Sequence, residues 1–307
     1  YDFSGLRACE ARVWSFFRTF DKSMDKYKKH IMGDASEEPM PLYIIPDRKV
    51  SLADVREGMR NHYEGTELSM TNDPGAGAYK VPYRWRPMTF KSEGREYFNE
   101  RAIATQQTGF VLIAQMRSWL PDAVGGILWF GVDDANTAVL TPMYASITEI
   151  PECYRRGNGS MTEFSWTSAF WIHNWVANMA YNRYEPMIRD IRPVQKELED
   201  SYVDLVKNTD AKALELLKSS PAQATAYLTE VCGKVANEAT ARWKKLGEYL
   251  LVKYMDGNVK KEKDGKFEEN GYGQIVSPNF PGYSQEYYDQ VAKSGEAKHL
   301  EVPKKDK

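Results

Sequence analysis

The side chains in this sequence that could act on a substrate are few and widely spaced. Arg101, Gln107, Gln115 and Arg117 lie within or at the edges of the largely apolar stretch Asn99–Tyr144. Polar groups in such surroundings need partners, either in the fold or in a ligand. The neighbouring carboxylates Asp133 and Asp134 suit acid–base or metal chemistry. A turn after a strand, with Asp134 pairing an arginine, accounts for them more simply. The loop-rich segment Met70–Pro87 holds three prolines, two glycines and an Asn72-Asp73-Pro74 step, which excludes a long regular element. Ordered irregular loops in compact domains often carry function. Arg101 and the Asn72–Pro74 loop are therefore the favoured polar groups of a cleft. The four histidines, His30, His62, His173 and His299, show no ligand spacing. His62 and His173 are expected on helices, as packed or surface imidazoles. The three cysteines form no CxxC pair, which argues against a zinc ribbon and a dense disulfide scaffold. A disulfide among Cys9, Cys153 and Cys232 is left open, and Cys9 reads as a buried structural thiol in mid-helix. No serine-hydrolase elbow, Walker loop, HExxH or dinucleotide fingerprint occurs, and Gly75-Ala76-Gly77 is too short for a phosphate loop.

The elements that must position these groups follow from periodicity. Apolar runs at Phe110–Met116, Gly126–Val132 and Ala138–Tyr144 are short, rich in β-formers and bounded by turn residues. They read as strands of one sheet. Runs apolar on consecutive residues predict a sheet covered on both faces. Lys91–Arg95 reads as a turn between two further strands, and Leu42–Pro46 as a short β-like run. Leu6, Val13, Phe16, Phe17 and Phe20 predict a helix over Ser4–Asp21, with Ser4 as N-cap. Ser51–Asp54 is a capping signal for a helix to about Glu64. Helical spacing resumes from about Ser165, with Pro186 and Pro193 expected to kink or interrupt it, and further helices to about Val206 and over Asp210–Tyr254. Met255–Gly273 reads as a hairpin or exposed loops, and the Lys-rich end from Lys293 as fraying.

The chain has 307 residues, 42% hydrophobic and 27% charged, with a net charge of -2. That is the profile of a globular protein, without the bulk electrostatics that would favour nucleic acid or an anionic membrane. Eight Trp and nineteen Tyr can line a cleft or fill a core. No apolar run approaches membrane-spanning length, and no signal peptide is present. The start, Tyr1-Asp2-Phe3, carries no initiator Met and reads as that of a mature or trimmed piece.

Several long strings resemble one family. They are Tyr1–Gly5, Cys9–Trp14, Asn61–Thr66, Gly75–Gly77 with Pro82–Pro87, Glu100–Thr108, Gly125–Ala135, Ser168–Trp171 and Tyr181–Tyr184. Together they are similar to the PepD-like dipeptidases, cysteine peptidases of the N-terminal-nucleophile (Ntn) hydrolase superfamily, over nearly the whole chain. The resemblance implies an α+β, four-layer αββα sandwich. Residues 1–160 would form the C-terminal part of that core, 161–255 a helical segment packed on it, and 256–307 a hairpin and tail. It also implies a nucleophilic N-terminal cysteine whose own α-amino group serves as base. Residue 1 is Tyr1, and no cysteine here matches that position. The chain is thus expected to be the C-terminal portion, standing beside an N-terminal segment that carries the nucleophile and inactive without it.

By the same resemblance, Arg101 would sit beside the thiol and Asn72 near the oxyanion. Asp73, Gln107 and Arg117 would bind substrate termini, with a structural salt bridge as the alternative for Arg117. The implied activity is hydrolysis of short peptides, with no metal or organic cofactor. Two alternatives stand: an Ntn amidase acting on acyl amides of the bile-salt or penicillin type, and a non-catalytic binding or structural subunit. An exported location is a family-level expectation, and oligomeric state is left open, a homo-oligomer included.

Overall fold

A computed structural model describes residues 3–276, 278–295 and 300–302. Tyr1, His299 and most of the Lys-rich tail lie outside these residues, as does the side chain of Ser4, the expected N-cap. The fold is mixed α+β, with several helices and small antiparallel sheets. Among the described residues no helix is long and apolar enough to cross a membrane.

The chain opens with a helical turn, Phe3–Gly5, and a π-helical turn, Leu6–Glu10, which leads into α1 (Ala11–Phe20). The expected helix is therefore present but not uniformly α, and Cys9 within the π turn is exposed rather than buried. Trp14 of α1 anchors a small core with Met24, Tyr27, Ile31, Tyr63, Leu68, Met70 and Ala102. This core fixes both the Met70 end of the proline-rich loop and the base of Arg101. The run Leu42–Pro46 forms no strand; Leu42, Tyr43 and Ile45 are exposed. A lone β-like run needs a ladder partner, and among the described residues none pairs with it.

Helix α2 (Leu52–Met59) begins with a full capping box between Ser51 and Asp54 and ends at Arg60, short of Glu64. Beyond Arg60 the chain is not helical: Tyr63 takes a left-handed conformation (φ 65°) and Gly65 follows with φ 70°. His62 consequently sits in a loop, not on a helix. Strands β1 (Thr89–Ser92) and β2 (Arg95–Phe98) form the expected hairpin.

The central sheet has the order β3 (Phe110–Met116), β4 (Gly126–Val132), β5 (Thr141–Tyr144), all antiparallel. The third apolar run is strand only in its second half. Its first half, Ala138–Leu140, is buried loop held by backbone bonds to helix side chains. One sheet face, carrying Val111, Ile127, Trp129 and Tyr144, is buried. The other is not covered as expected: Phe110, Leu112 and Met116 alternate along β3 and stand exposed, beside half-buried Leu128, Phe130 and Val132. Consecutive apolar residues mark two faces that favour burial, and this chain covers one of them.

Three long helices complete the core: α3 (Ala169–Asn182), α4 (Tyr184–Leu217) and α5 (Pro221–Tyr254). Pro193 lies inside α4 without ending it. Its buried positions Met187, Ile191, Gln195, Glu199, Tyr202 and Val206 recur at helical spacing, and their burial outweighs the roughly 3 kcal/mol that an internal proline costs. The helix expected over Asp210–Tyr254 is instead two, broken at Ser220, whose side chain caps α5. The tail adds a hairpin, β6 (Glu262–Lys263) and β7 (Lys266–Phe267), and a helix with no forecast in the sequence, α6 (Gln285–Lys293).

Gly131 sets how closely the loop after β4 can approach the sheet. A Cβ there would lie 2.8 Å from both Val139 O and a Leu140 methyl carbon. Gly131→Ala should therefore cost about 2 kcal/mol by overpacking, read as a lower urea midpoint with an unchanged m-value.

Candidate active site

The loop Asp133–Leu140 is tied to α4 from several sides. Glu199 accepts from Leu140 N at 2.9 Å and from Arg60 at 2.6 Å, and Gln195 donates to Ala138 O at 2.7 Å. Arg192 donates to Asn136 O at 2.8 Å. These bonds hold a buried polar cluster in place. Tyr181 donates to Asp134 Oδ1 at 3.1 Å, and His62 Nε2 lies 3.0 Å from the same hydroxyl. Tyr184 donates to Asn136 Oδ1 at 2.9 Å, and Asn136 lies 3.3 Å from His62 Nδ1. Asp134 is fully buried and is satisfied by Thr137 and Tyr181 rather than by an arginine. Burial raises its carboxyl above the usual range.

Asp133 is less well satisfied. It is 1% exposed and holds a left-handed φ of 68°. Asn174 donates to its Oδ1 at 2.8 Å, while Oδ2 has no partner among the described residues. Burial pushes its carboxyl up to about 7. Strain, desolvation and a titration near neutrality together are characteristic of functional sites.

Asn174 also lines an open cleft of about 340 Å³ with Tyr83, Trp85, Arg86, Gln106, Gln107 and Asn178. Arg86 Nε donates to Gln107 Oε1 at 3.1 Å, and Gln106 donates to Asn178 Oδ1 at 2.7 Å, so the loops and α3 are stitched across the cleft. Tyr83 packs edge-on against Tyr181, which connects the cleft wall to the buried cluster. A narrow crevice containing Arg101 and Glu100 shares Tyr83, Trp85, Arg86 and Gln107 with the cleft.

The expected site residues divide between three places. Arg101 and Gln107 come together in the crevice. Asn72 and Asp73 line a separate groove against Glu286, Tyr287 and Gln290 of α6. Asp73 accepts from Gly75 N and Arg84, both at 2.7 Å, and Arg84 itself lines the Arg101 crevice. Arg117 lies in the interior, bound to Asp210 and to the carbonyls of Val124 and Gly125. Gln115 accepts from the Trp129 indole at 3.0 Å. Glu100, next to Arg101 in sequence, is taken by Arg7, and Asp73 is taken by Arg84. Arg101 is exposed, and among the described residues its guanidinium has no ion-pair partner.

Residues 2–197 match the model of peptidase family C69. The chain belongs to that family. It is 26% identical over 233 residues to "Probable dipeptidase B" of Lactococcus lactis subsp. lactis (strain IL1403), covering 74% of this chain and 44% of that protein. It is 26% identical over 245 residues to "Probable dipeptidase" of Latilactobacillus sakei, covering 74% and 46%. With "Dipeptidase A" of Lactobacillus helveticus the figures are 21% over 193 residues, 62% and 33%. The chain thus spans less than half the length of these relatives. The family match takes in every cleft residue, the buried cluster and Asp133.

Sequence reasoning missed the cleft's α3 wall and the state of Asp133. A signal for the wall exists: Asn174, Asn178 and Asn182 recur every four residues on an otherwise apolar helix. Asn178 and Asn182 each donate to the carbonyl one turn back, at 2.8 Å, which leaves the Asn178 side-chain oxygen free to accept from Gln106. Among the described residues, no group of three or more His, Cys, Asp or Glu side chains is placed to hold a metal.

Proposed function

We propose that the chain is the C-terminal portion of a thiol-dependent dipeptidase with the αββα Ntn-hydrolase architecture. The nucleophilic cysteine lies on an upstream segment of the same enzyme. Its thiol attacks the amide carbon of a short peptide, its α-amino group takes the thiol proton and passes it to the departing amine as the C–N bond breaks, and water then hydrolyses the thioester to free the acid and the thiol. Membership of the C69 family supports this reading, and so do the relatives named as dipeptidases. The face of β3 that exposes Phe110, Leu112 and Met116, and the edge of β3, unpaired among the described residues, offer a surface on which the upstream half can pack.

One observation carries the site assignment: Arg101 is an exposed cation with no ion-pair partner among the described residues, and the adjacent Glu100 binds Arg7 instead. A free guanidinium beside the nucleophile favours thiolate. Asn72 is assigned the oxyanion. Gln107 and Asp73 are assigned the substrate's polar ends, with Arg117 the remaining candidate. In the full-length enzyme, Arg101→Ala should lower kcat/KM for a dipeptide by about a hundredfold, with partial recovery in Arg101→Lys. Undiminished turnover by Arg101→Ala would remove Arg101 from the site.

Tyr83 and the exposed Trp85 give the cleft an aromatic wall, which favours a second reading in which the substrate is an acyl amide. The ratio of kcat/KM for a dipeptide to that for an aromatic acyl amide separates the two.

A further inference from the structure

A second cavity, of about 280 Å³, opens on the other side of Val132, at the N-terminus of α3. The active-site reading does not use it. Its walls include two arginines, Arg155 and Arg156, and no Asp or Glu among the described residues. Arg155 spends one donor on Ile150 O at 3.4 Å, whereas Arg156 is exposed and has no partner among the described residues. The loop Gly157–Ser160 folds over the Trp171 indole, which donates to Ser160 O at 3.0 Å. Gly159, at φ 80°, makes that approach feasible, since a Cβ would meet the indole at 3.0 Å and Glu163 O at 2.9 Å. The loop is thus fitted against the helix end as a formed wall.

Two observations point to a ligand of definite chemistry. The first turn of a 14-residue helix brings backbone N–H groups that have no intrahelical partner, and a positive dipole end, to the cavity. Ser168, the N-cap residue, does not cap: its side chain makes no hydrogen bond to the helix and has no other partner among the described residues. It lines the cavity yet is only 6% exposed. The residue is nearly enclosed and its hydroxyl has no partner among the described residues, so it is placed to donate to a ligand. The rest of the lining is apolar and aromatic, with Phe130, Phe170 and Trp171.

We infer that this cavity binds the C-terminal carboxylate of a short peptide whose last residue is hydrophobic. The carboxylate lies between Arg156, the Ser168 hydroxyl and the α3 N-terminus, and the apolar side chain lies on Phe130 and Phe170. The word peptide rests on the dipeptidase reading; the carboxylate and the apolar body rest on the cavity alone.

The test is calorimetric titration of the chain with N-acetylphenylalanine and with its neutral amide. The acid should bind about tenfold more tightly than the amide, with the margin shrinking at high salt. Arg156→Gln should remove that tenfold for the acid and leave the amide unchanged, and Arg156→Glu should reverse the preference. Arg156 is exposed, so both variants keep the fold, as circular dichroism will register. Ser168→Ala should weaken the acid severalfold. Equal binding of acid and amide, or acid affinity indifferent to Arg156→Gln, overturns the inference. Acid-selective binding by this chain needs no turnover, so it stands or falls separately from dipeptide hydrolysis by the full-length enzyme.

Discussion

Arg117→Met is expected to destabilise the protein by about 3–5 kcal/mol, the usual range when one member of a buried ion pair is removed. The Arg117 side chain is 8% exposed and that of its partner Asp210 16%. The guanidinium also donates to Val124 O, and to Gly125 O at 3.3 Å, so it ties α4 to the turn between β3 and β4. Tyr144 adds a hydrogen bond of 2.7 Å to the same carboxylate. Without Arg117, Asp210 stays desolvated with the phenol as its remaining partner, and Val124 O loses its guanidinium donor, while Gly125 O keeps the backbone N–H of residue 117. Urea unfolding should show the loss as a lower midpoint. The double variant Arg117→Met with Asp210→Leu should recover much of it, because no uncompensated charge remains. A role for Arg117 in binding a peptide terminus predicts the opposite pattern in the full-length enzyme: a raised KM with the midpoint unmoved.

Arg117 also illustrates what a sequence can and cannot disclose. An arginine at the end of an apolar strand must find a partner, and that much follows from desolvation. The partner, Asp210, lies 93 residues away on a helix whose register no local pattern reveals. The capping box at Ser51–Asp54, the hairpin at Lys91–Arg95 and strands β3 and β4 were legible because their signals are local. The end of α2 was not, since Tyr63 adopts a left-handed φ without being Gly or Asn. Pro193 misled because long-range burial along α4 overrides a local breaker. At the site, Arg101 and Gln107 share a crevice as residues six apart on one polar segment readily can. The α3 wall and the burial of Asp133 depend on tertiary contacts between residues about forty apart, and hydrophobic periodicity is silent about them.

The second large effect concerns Asp133. Its carboxyl, pushed up to about 7 by burial, holds a proton in the folded chain where the unfolded chain has already lost it. Between about pH 4 and pH 7 the native state therefore binds more protons, and stability falls as pH rises, by roughly 1.4 kcal/mol per pH unit. Above pH 7 the cost is constant. Asp133→Asn removes it, and asparagine tolerates the left-handed φ of 68°. The variant should be more stable at pH 8, with an upper bound of about 4 kcal/mol from the three-unit shift. The wild-type profile hides this effect. His173, stacked on Trp243 and pushed down to about 3 by burial, works in the other direction. Its unfolded form takes a proton below about 6.5 and its folded form does not, so stability is lost as pH falls through that range. Asp134 adds to the Asp133 slope, because burial raises it too. The clean readout is the difference curve, variant minus wild type, from urea midpoints at successive pH values. It should rise from about pH 4 to pH 7 and then stay level. A difference curve flat across that window would mean that Asp133 is ionised in the fold, and its Oδ2 would then need a donor that the geometry does not supply.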